Sequence, residues 1–340
     1  MTFPQTEDRA SKIAQPAPRL RYAAARILQM LPTLFLILLS SFVLLHLAPG
    51  DAAQVLAGEG GGGDATYLET LRRSFGLDQP LHVQFLFYAR NVLSGQLGFS
   101  FRNNMAVIDL ISARLVPTLL LTGAALFLAV LFGLAGGAFA AAHRGKTADR
   151  VISAAALLIY ATPGFLLGIG LMILFAVTLP WLPTGGFVDS YGVETGLQYV
   201  TSVGRHLVLP TITLGALYAA IYMRFTRGAM LEIYDQDHVR TARSKGLTPF
   251  RIIRRHVLRN ALLPLVTVVG LQAGSLLSGA ILVETVFSWP GLGRLAFEAV
   301  QQRDYNLLSG LVLCTGTLVV IINLAVDLLY AVLDPRVSLR

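Results

Sequence analysis

A chain of 340 residues that is 54% hydrophobic, 14% charged and of mean hydropathy +0.64 is too apolar for an ordinary soluble domain. Its net charge of +8 does not support a nucleic-acid reading, because the long uncharged runs leave no soluble domain to present a basic face. The one cysteine, Cys314, lies in the last apolar run, so no intramolecular disulfide is possible and the residue reads as a small packing group.

Residues 1–26 form a polar leader, and an uncharged run follows from 27 to 45. An apolar run must reach about 20 residues to cross a hydrocarbon core of about 30 Å. No small-residue cleavage pattern closes this one, which favours a permanent helix over a secretory signal. The charge-free runs together predict an all-α integral membrane protein with six transmembrane helices, at 27–48, 115–142, 151–178, 206–228, 260–286 and 306–333.

Between the first two helices, residues 49–114 open with Pro49-Gly50-Asp51 and a flexible glycine tract at 58–63. Leu68, Leu71 and Phe75 recur at spacings of three and four, so short amphipathic helices are expected there, broken at Gly76 and at Asp78-Gln79-Pro80. The third apolar run continues to residue 188, longer than one span requires; Pro180, Pro183, Gly185 and Gly186 place a loop or re-entrant segment at its end. Trp289, before Pro290-Gly291, reads as an interfacial anchor.

Orientation follows from the Lys and Arg residues. With the N-terminus cytoplasmic, one side holds Arg9, Lys12, Arg19, Arg21 and Arg26, then Arg144, Lys146 and Arg150, then a basic insert from Arg224 to Arg259, then Arg336 and Arg340. The leader and the tail at 334–340 are therefore both expected inside, 49–114 outside and 229–259 inside.

The insert, "DHVRTARSKGLTPFRIIRRHVLRNALLP" at 237–264, has its own punctuation. Asp237 is placed to cap a helix from His238 to Lys245, Gly246 to stop it, and Thr248-Pro249 to start the next. Eight residues are too few for an isolated helix, so something must hold it. Val239, Ala242 and Gly246 form a small-residue face suited to a protein groove, with Arg240, Arg243 and Lys245 elsewhere. Phe250, Ile253, Val257 and Ala261 form an apolar stripe on the second helix, opposite Arg251, Arg255 and Arg259. A basic juxtamembrane segment attracted to anionic lipid is the competing reading.

"RTARSKG", nine residues and "HVLRNALLP" resemble the cytoplasmic EAA loop of ABC-importer permeases, in the form of the dipeptide, oligopeptide and nickel group. Arg240, Thr241 and Ala242 stand in the Glu-Ala-Ala places, Arg243, Ser244 and Lys245 in the spacer, Gly246 at the glycine, and His256 and Leu258 in the Ile and Leu places. The Glu and the Pro are replaced at Arg240 and Arg259, as in the peptide branch. "FGLDQPLHVQF", "LGFSFR", "VETVFSWPGLGRL", "RDYNLLSG" and "DLLYAVLDPRV" extend the resemblance to the first of the two permeases of a peptide importer; Gln96 and the glycine tract depart from it.

The resemblance implies a type I ABC-importer permease fold in a bacterial inner membrane, with no cofactor of its own. It implies a second permease completing a heterodimer, two ATP-binding subunits or domains, an extracytoplasmic solute-binding protein, and membrane lipid around them. The loop would transmit nucleotide-driven closure to the helices, and di- or oligopeptides would be the cargo, with nickel or another small solute as the alternative. A stand-alone secondary carrier is the rival class, but apart from Asp327 the predicted helix interiors are nearly free of acidic groups.

Other features argue against chemistry in this chain. Gly145-Lys146-Thr147 lacks the preceding glycine of a phosphate loop, Ala140 standing there. The six histidines show no metal-ligand spacing, and no Ser-His-Asp or paired-carboxylate set is expected in one pocket. Asp327, near the inner end of the sixth helix, marks either a pathway or a local ion pair. Glu284, near the outer end of the fifth, either faces the path or a docked binding protein, or is a solvated helix end.

Overall fold

The structure, a computed structural model, describes residues 17–47, 79–189 and 196–333. The helices expected around 68–75 lie outside the described residues. The first element, α1 (Ala17–Leu47), covers the first apolar run and extends into the leader. Pro80 then starts α2 (Leu81–Leu93), and a two-residue hairpin, β1 (Phe99–Ser100) with β2 (Met105–Ala106), leads into α3 (Val107–Ala142).

The apolar run from 151 does not form one straight span. It divides into α4 (Thr147–Ala161) and α5 (Gly164–Met172, continued by a π turn at Ile173–Thr178), bent by 103°. The cause is local: Pro163 disfavours helical geometry at the residue before it, and Thr162 is extended at ψ 127°. The expected loop does follow, with no regular element from 179 to 189.

The chain continues as α6 (Gly196–Tyr234), α7 (Asp237–Ser244), α8 (Pro249–Ile252), a π turn at Ile253–Leu258, α9 (Arg259–Val286), α10 (Leu292–Gln302) and α11 (Tyr305–Leu333). Among the described residues, four helices are long and apolar enough to cross a membrane, and six if each of two bent pairs is one span. At 1.5 Å per residue α3 and α6, of 36 and 39 residues, are about 54 and 58 Å long, well beyond the expected spans.

The centre of the bundle is the α3–α6 pair. Contacts pair residue 125 with 215, 133 with 222 and 137 with 226, numbers rising together, so the two helices run parallel. They touch backbone to backbone. A Cβ on Gly133 would lie 2.5 Å from Tyr222 Cβ, and one on Gly137 would lie 2.6 Å from the Met223 carbonyl oxygen. Between apolar helices in lipid, such close van der Waals approach replaces the hydrophobic drive that holds a soluble core. Gly270 and Gly274 of α9 make room for the side chains of Val326 and Val319 of α11.

At one end of the bundle α10 packs with the starts of α3 and α11 through Val107, Ile111, Leu292, Leu295, Leu307 and Leu311. At the other end Ala141 of α3 meets Met230 and Ile233 of α6, Val239 and Ala242 of α7, and Ile252 and Val257 beyond them.

Candidate functional site

The short helix α7 has the length and the glycine stop that its sequence requires, but both ends lie one residue earlier than expected, at Asp237 and Ser244. Gln236 is the extended N-cap and Asp237 the first helical residue, with Asp237 Oδ1 3.8 Å from Arg240 Nη1. Gly246 takes φ +74°, its N–H donating to the Arg243 carbonyl at 2.9 Å, while the Leu247 N–H donates to the Ala242 carbonyl at 3.3 Å. Those paired bonds close the helix by a left-handed residue. Thr248 and Pro249 then occupy the N-cap and first helical positions of α8.

What holds α7 is its own chain. Val239 is fully buried and Ala242 is 4% exposed, both against Met230, Ile233, Ile252 and Val257. Val239 and Ala242 of the small face are thus consumed internally, correcting their expected use in a partner's groove, while Gly246 stays exposed. Arg240, Thr241, Arg243, Ser244, Lys245 and Gly246 are exposed on the other side. Arg243 lies over the Tyr234 ring at 5.7 Å. Of the two later motif positions, Leu258 packs beside the same cluster, and the half-buried His256 accepts from Asn260 Nδ2 through its carbonyl at 2.9 Å.

The stripe expected on the second helix is also corrected. The π turn at Ile253–Leu258 shifts the helical phase, so Ile252, Val257 and Ala261 are buried while Phe250 is 72% exposed.

Two further candidates resolve. Glu284 has no exposure: its Oε1 accepts from Thr118 Oγ1 at 2.8 Å and its Oε2 from the Arg294 N–H at 3.0 Å. The Leu292 N–H meets Thr118 Oγ1 at 2.7 Å, so the carboxylate and hydroxyl together satisfy the free N–H groups that begin α10. It is packed inside the chain and is not a solvated helix end. Trp289, expected at the interface, is likewise fully buried, with Nε1 donating to the Pro117 carbonyl at 3.0 Å. Asp327 Oδ2 stands 3.4 Å from Arg26 Nε, the local ion pair, joining α11 to α1.

Two features escaped the sequence reading. Asp149, 4% exposed at the start of α4, binds Arg227 of α6 through Nε at 2.6 Å and Nη2 at 2.9 Å. The sequence had assigned Arg227 only to membrane orientation. Ser202, His206 and Asp189 do converge near the start of α6, but Ser202 Oγ donates to Asp189 at 2.9 Å and His206 Nδ1 faces the Ser202 carbonyl, so the imidazole is not set to activate the hydroxyl.

Finally, a groove runs between α4, α6 and α9, in two adjoining cavities of about 600 and 470 Å³ that share Tyr160, Ile221 and Gln272. Arg224 lines the larger one, its guanidinium 5.7 Å from the Tyr160 ring centre. Gln272 Oε1 is buried with no hydrogen-bond partner among the described residues.

Residues 133–339 match the family described as the inner membrane component of binding-protein-dependent transport systems, and residues 19–122 match its N-terminal companion. Over 321 residues the chain is 41% identical to the glutathione transport system permease protein GsiC of Escherichia coli O6:H1, covering 94% of this chain and all of that protein. The same-named protein of Salmonella choleraesuis is 42% identical with the same coverage. Among solved structures, an inward-facing MetNI methionine ABC transporter superimposes at a TM-score of 0.55 and 20% identity, over 67% of this chain and 97% of that one, which establishes a shared fold.

Proposed function

The chain belongs to the family of binding-protein-dependent transport-system inner membrane components, and on that footing we propose that it passes glutathione or a similar short peptide inward, moved by an ATPase that docks on α7. As a member of that family it is a permease subunit of an ABC importer and a multi-pass inner-membrane protein. Such a subunit works with a partner permease, ATP-binding subunits and a solute-binding protein. The peptide cargo is supported by the glutathione permeases at 41–42% identity. The groove between α4, α6 and α9 supports a route for it, since Tyr160, Arg224 and Gln272 offer an apolar wall with cationic and amide groups.

The observation that carries the docking reading is the division of α7 into two faces. One is buried on α6 and the helices beyond it; the other, with Arg240, Thr241, Arg243, Ser244, Lys245 and Gly246, is exposed. A helix of eight residues with no large apolar group on its outer face is a poor lipid anchor but a compact knob for a cleft. Because its root is packed on α6, force applied to it reaches the membrane helices without a flexible link. Residues 229–259 are thereby the cytoplasmic coupling loop, and both termini lie inside.

The experiment is co-purification of the chain with its ATPase from membranes, comparing the native protein with Arg243→Glu/Lys245→Glu. Both side chains are exposed, so the fold tolerates the change. The native chain should retain the ATPase and the double variant should lose it or lose ATP-driven uptake. Undiminished capture and uptake in the variant would overturn the docking assignment.

A further inference from the structure

The buried carboxylate of Asp149 gathers donors from three places. Arg227 reaches it from α6 with two bonds, the Gly145 N–H donates to Oδ2 at 3.0 Å, and Ser153 Oγ donates to Oδ1 at 3.4 Å. A second, exposed pair, Arg144 to Asp235 at 3.6 Å, ties the α3–α4 turn to the segment leaving α6.

Stability alone does not explain such a pair. Desolvating two ions offsets most of their attraction, and packed apolar side chains would hold the helices as well. What a bidentate guanidinium–carboxylate contact adds is direction, because its planar fork admits one relative placement of the two helices. The placement matters because of what lies on either side. Towards one end, Arg227 is one turn of α6 from Met230, which packs with Ile233 on Val239 and Ala242 of α7. Towards the other, α4 carries Tyr160 to the groove and ends at the 103° bend, where Thr162 and Gly164 line the smaller cavity.

We propose that Asp149 and Arg227 form a coupling clamp: they make α4 move as one body with α6 and α7, carrying a displacement of α7 to the Pro163 bend beside the groove. Neither residue touches the solute or the ATPase; both are positioning residues. The proposal rests on α7 being the ATPase contact.

The test uses the whole importer in proteoliposomes with its binding protein and glutathione, recording uptake and ATP hydrolysis in the same vesicles. Asp149→Asn and Arg227→Gln should still assemble with the ATPase and hydrolyse ATP, while uptake per ATP falls about tenfold. Arg227→Lys, which keeps the charge but loses the fork, should fall between them and the native protein. If uptake and hydrolysis decline together, in proportion to assembled complex, the pair is a stabilising contact only and the clamp is wrong. Should the first two variants fail to assemble, Arg227→Lys decides: a native uptake-to-ATP ratio overturns the clamp. Failure of the α7 reading looks different, because Arg243→Glu/Lys245→Glu would then leave ATPase capture and uptake native whatever the clamp variants do.

Discussion

Gly137 sits where α3 and α6 leave no room for a side chain. A Cβ there would stand 2.6 Å from both the Met223 carbonyl oxygen and Thr226 Cβ, and backbone cannot rotate away as a side chain can. Gly137→Leu should therefore cost about 1–3 kcal/mol or more through overpacking, read as a lower melting temperature of the purified chain. Gly145, whose added Cβ meets nothing within 4 Å, offers a contrast free of crowding, although its φ of +76° penalises any side chain through the backbone. Glu284 makes a second prediction at this scale. With its carboxylate removed in Glu284→Ala, the Thr118 hydroxyl and the Arg294 N–H lose their acceptor inside the protein, at a cost of about 1–3 kcal/mol. Thermal unfolding should show the loss, whereas a path-lining role would alter uptake at unchanged stability.

Among elements, α7 is the instructive case. Its sequence announces a helix, a left-handed glycine stop and a proline restart, and all three are present because each depends on neighbours within five residues. Which face is buried depends on α6 and α8, and there Val239 and Ala242, expected to face a partner's groove, are buried within the chain. The consequence is measurable. Ala242→Glu puts a charge into the cluster of Met230, Ile233 and Val257, so it should unfold the loop and lower the yield of intact chain. Arg243→Glu, on the exposed face, should leave yield and melting temperature unchanged and affect partner capture alone. The broken α4–α5 pair makes the same point in reverse. The loop expected from Pro180 to Gly186 is present, but the sequence reading passed over Pro163, which breaks the apolar run a second time.

For the whole molecule, the proposed topology places α7 inside and the end of α2 outside. In a Cys314→Ala background, Ser94→Cys in intact cells should react with a membrane-impermeant maleimide, while Ser244→Cys should react only after the membrane is opened; both positions are exposed in the fold. The reverse pattern would invert the topology. At this scale too, the exposed apolar residues Phe225 and Leu282 line the groove between α4, α6 and α9.

The class of molecule, the number of apolar runs and the register of the basic insert are legible in the sequence. Each is written in short stretches: in hydropathy over about 20 residues, in capping residues one turn apart, and in a spacing from Arg240 to Leu258 that any fold of the chain must respect. Only the tertiary structure decided that Glu284 is a buried cap, that Trp289 is core, and that Asp149 finds Arg227. The partners of Glu284 and Asp149 lie 166 and 78 residues away, and Trp289 reaches Pro117 across 172. In a chain so uniformly apolar, hydropathy cannot say which helices meet. Meeting is decided by where glycines let backbones touch and where a charge has nowhere else to go.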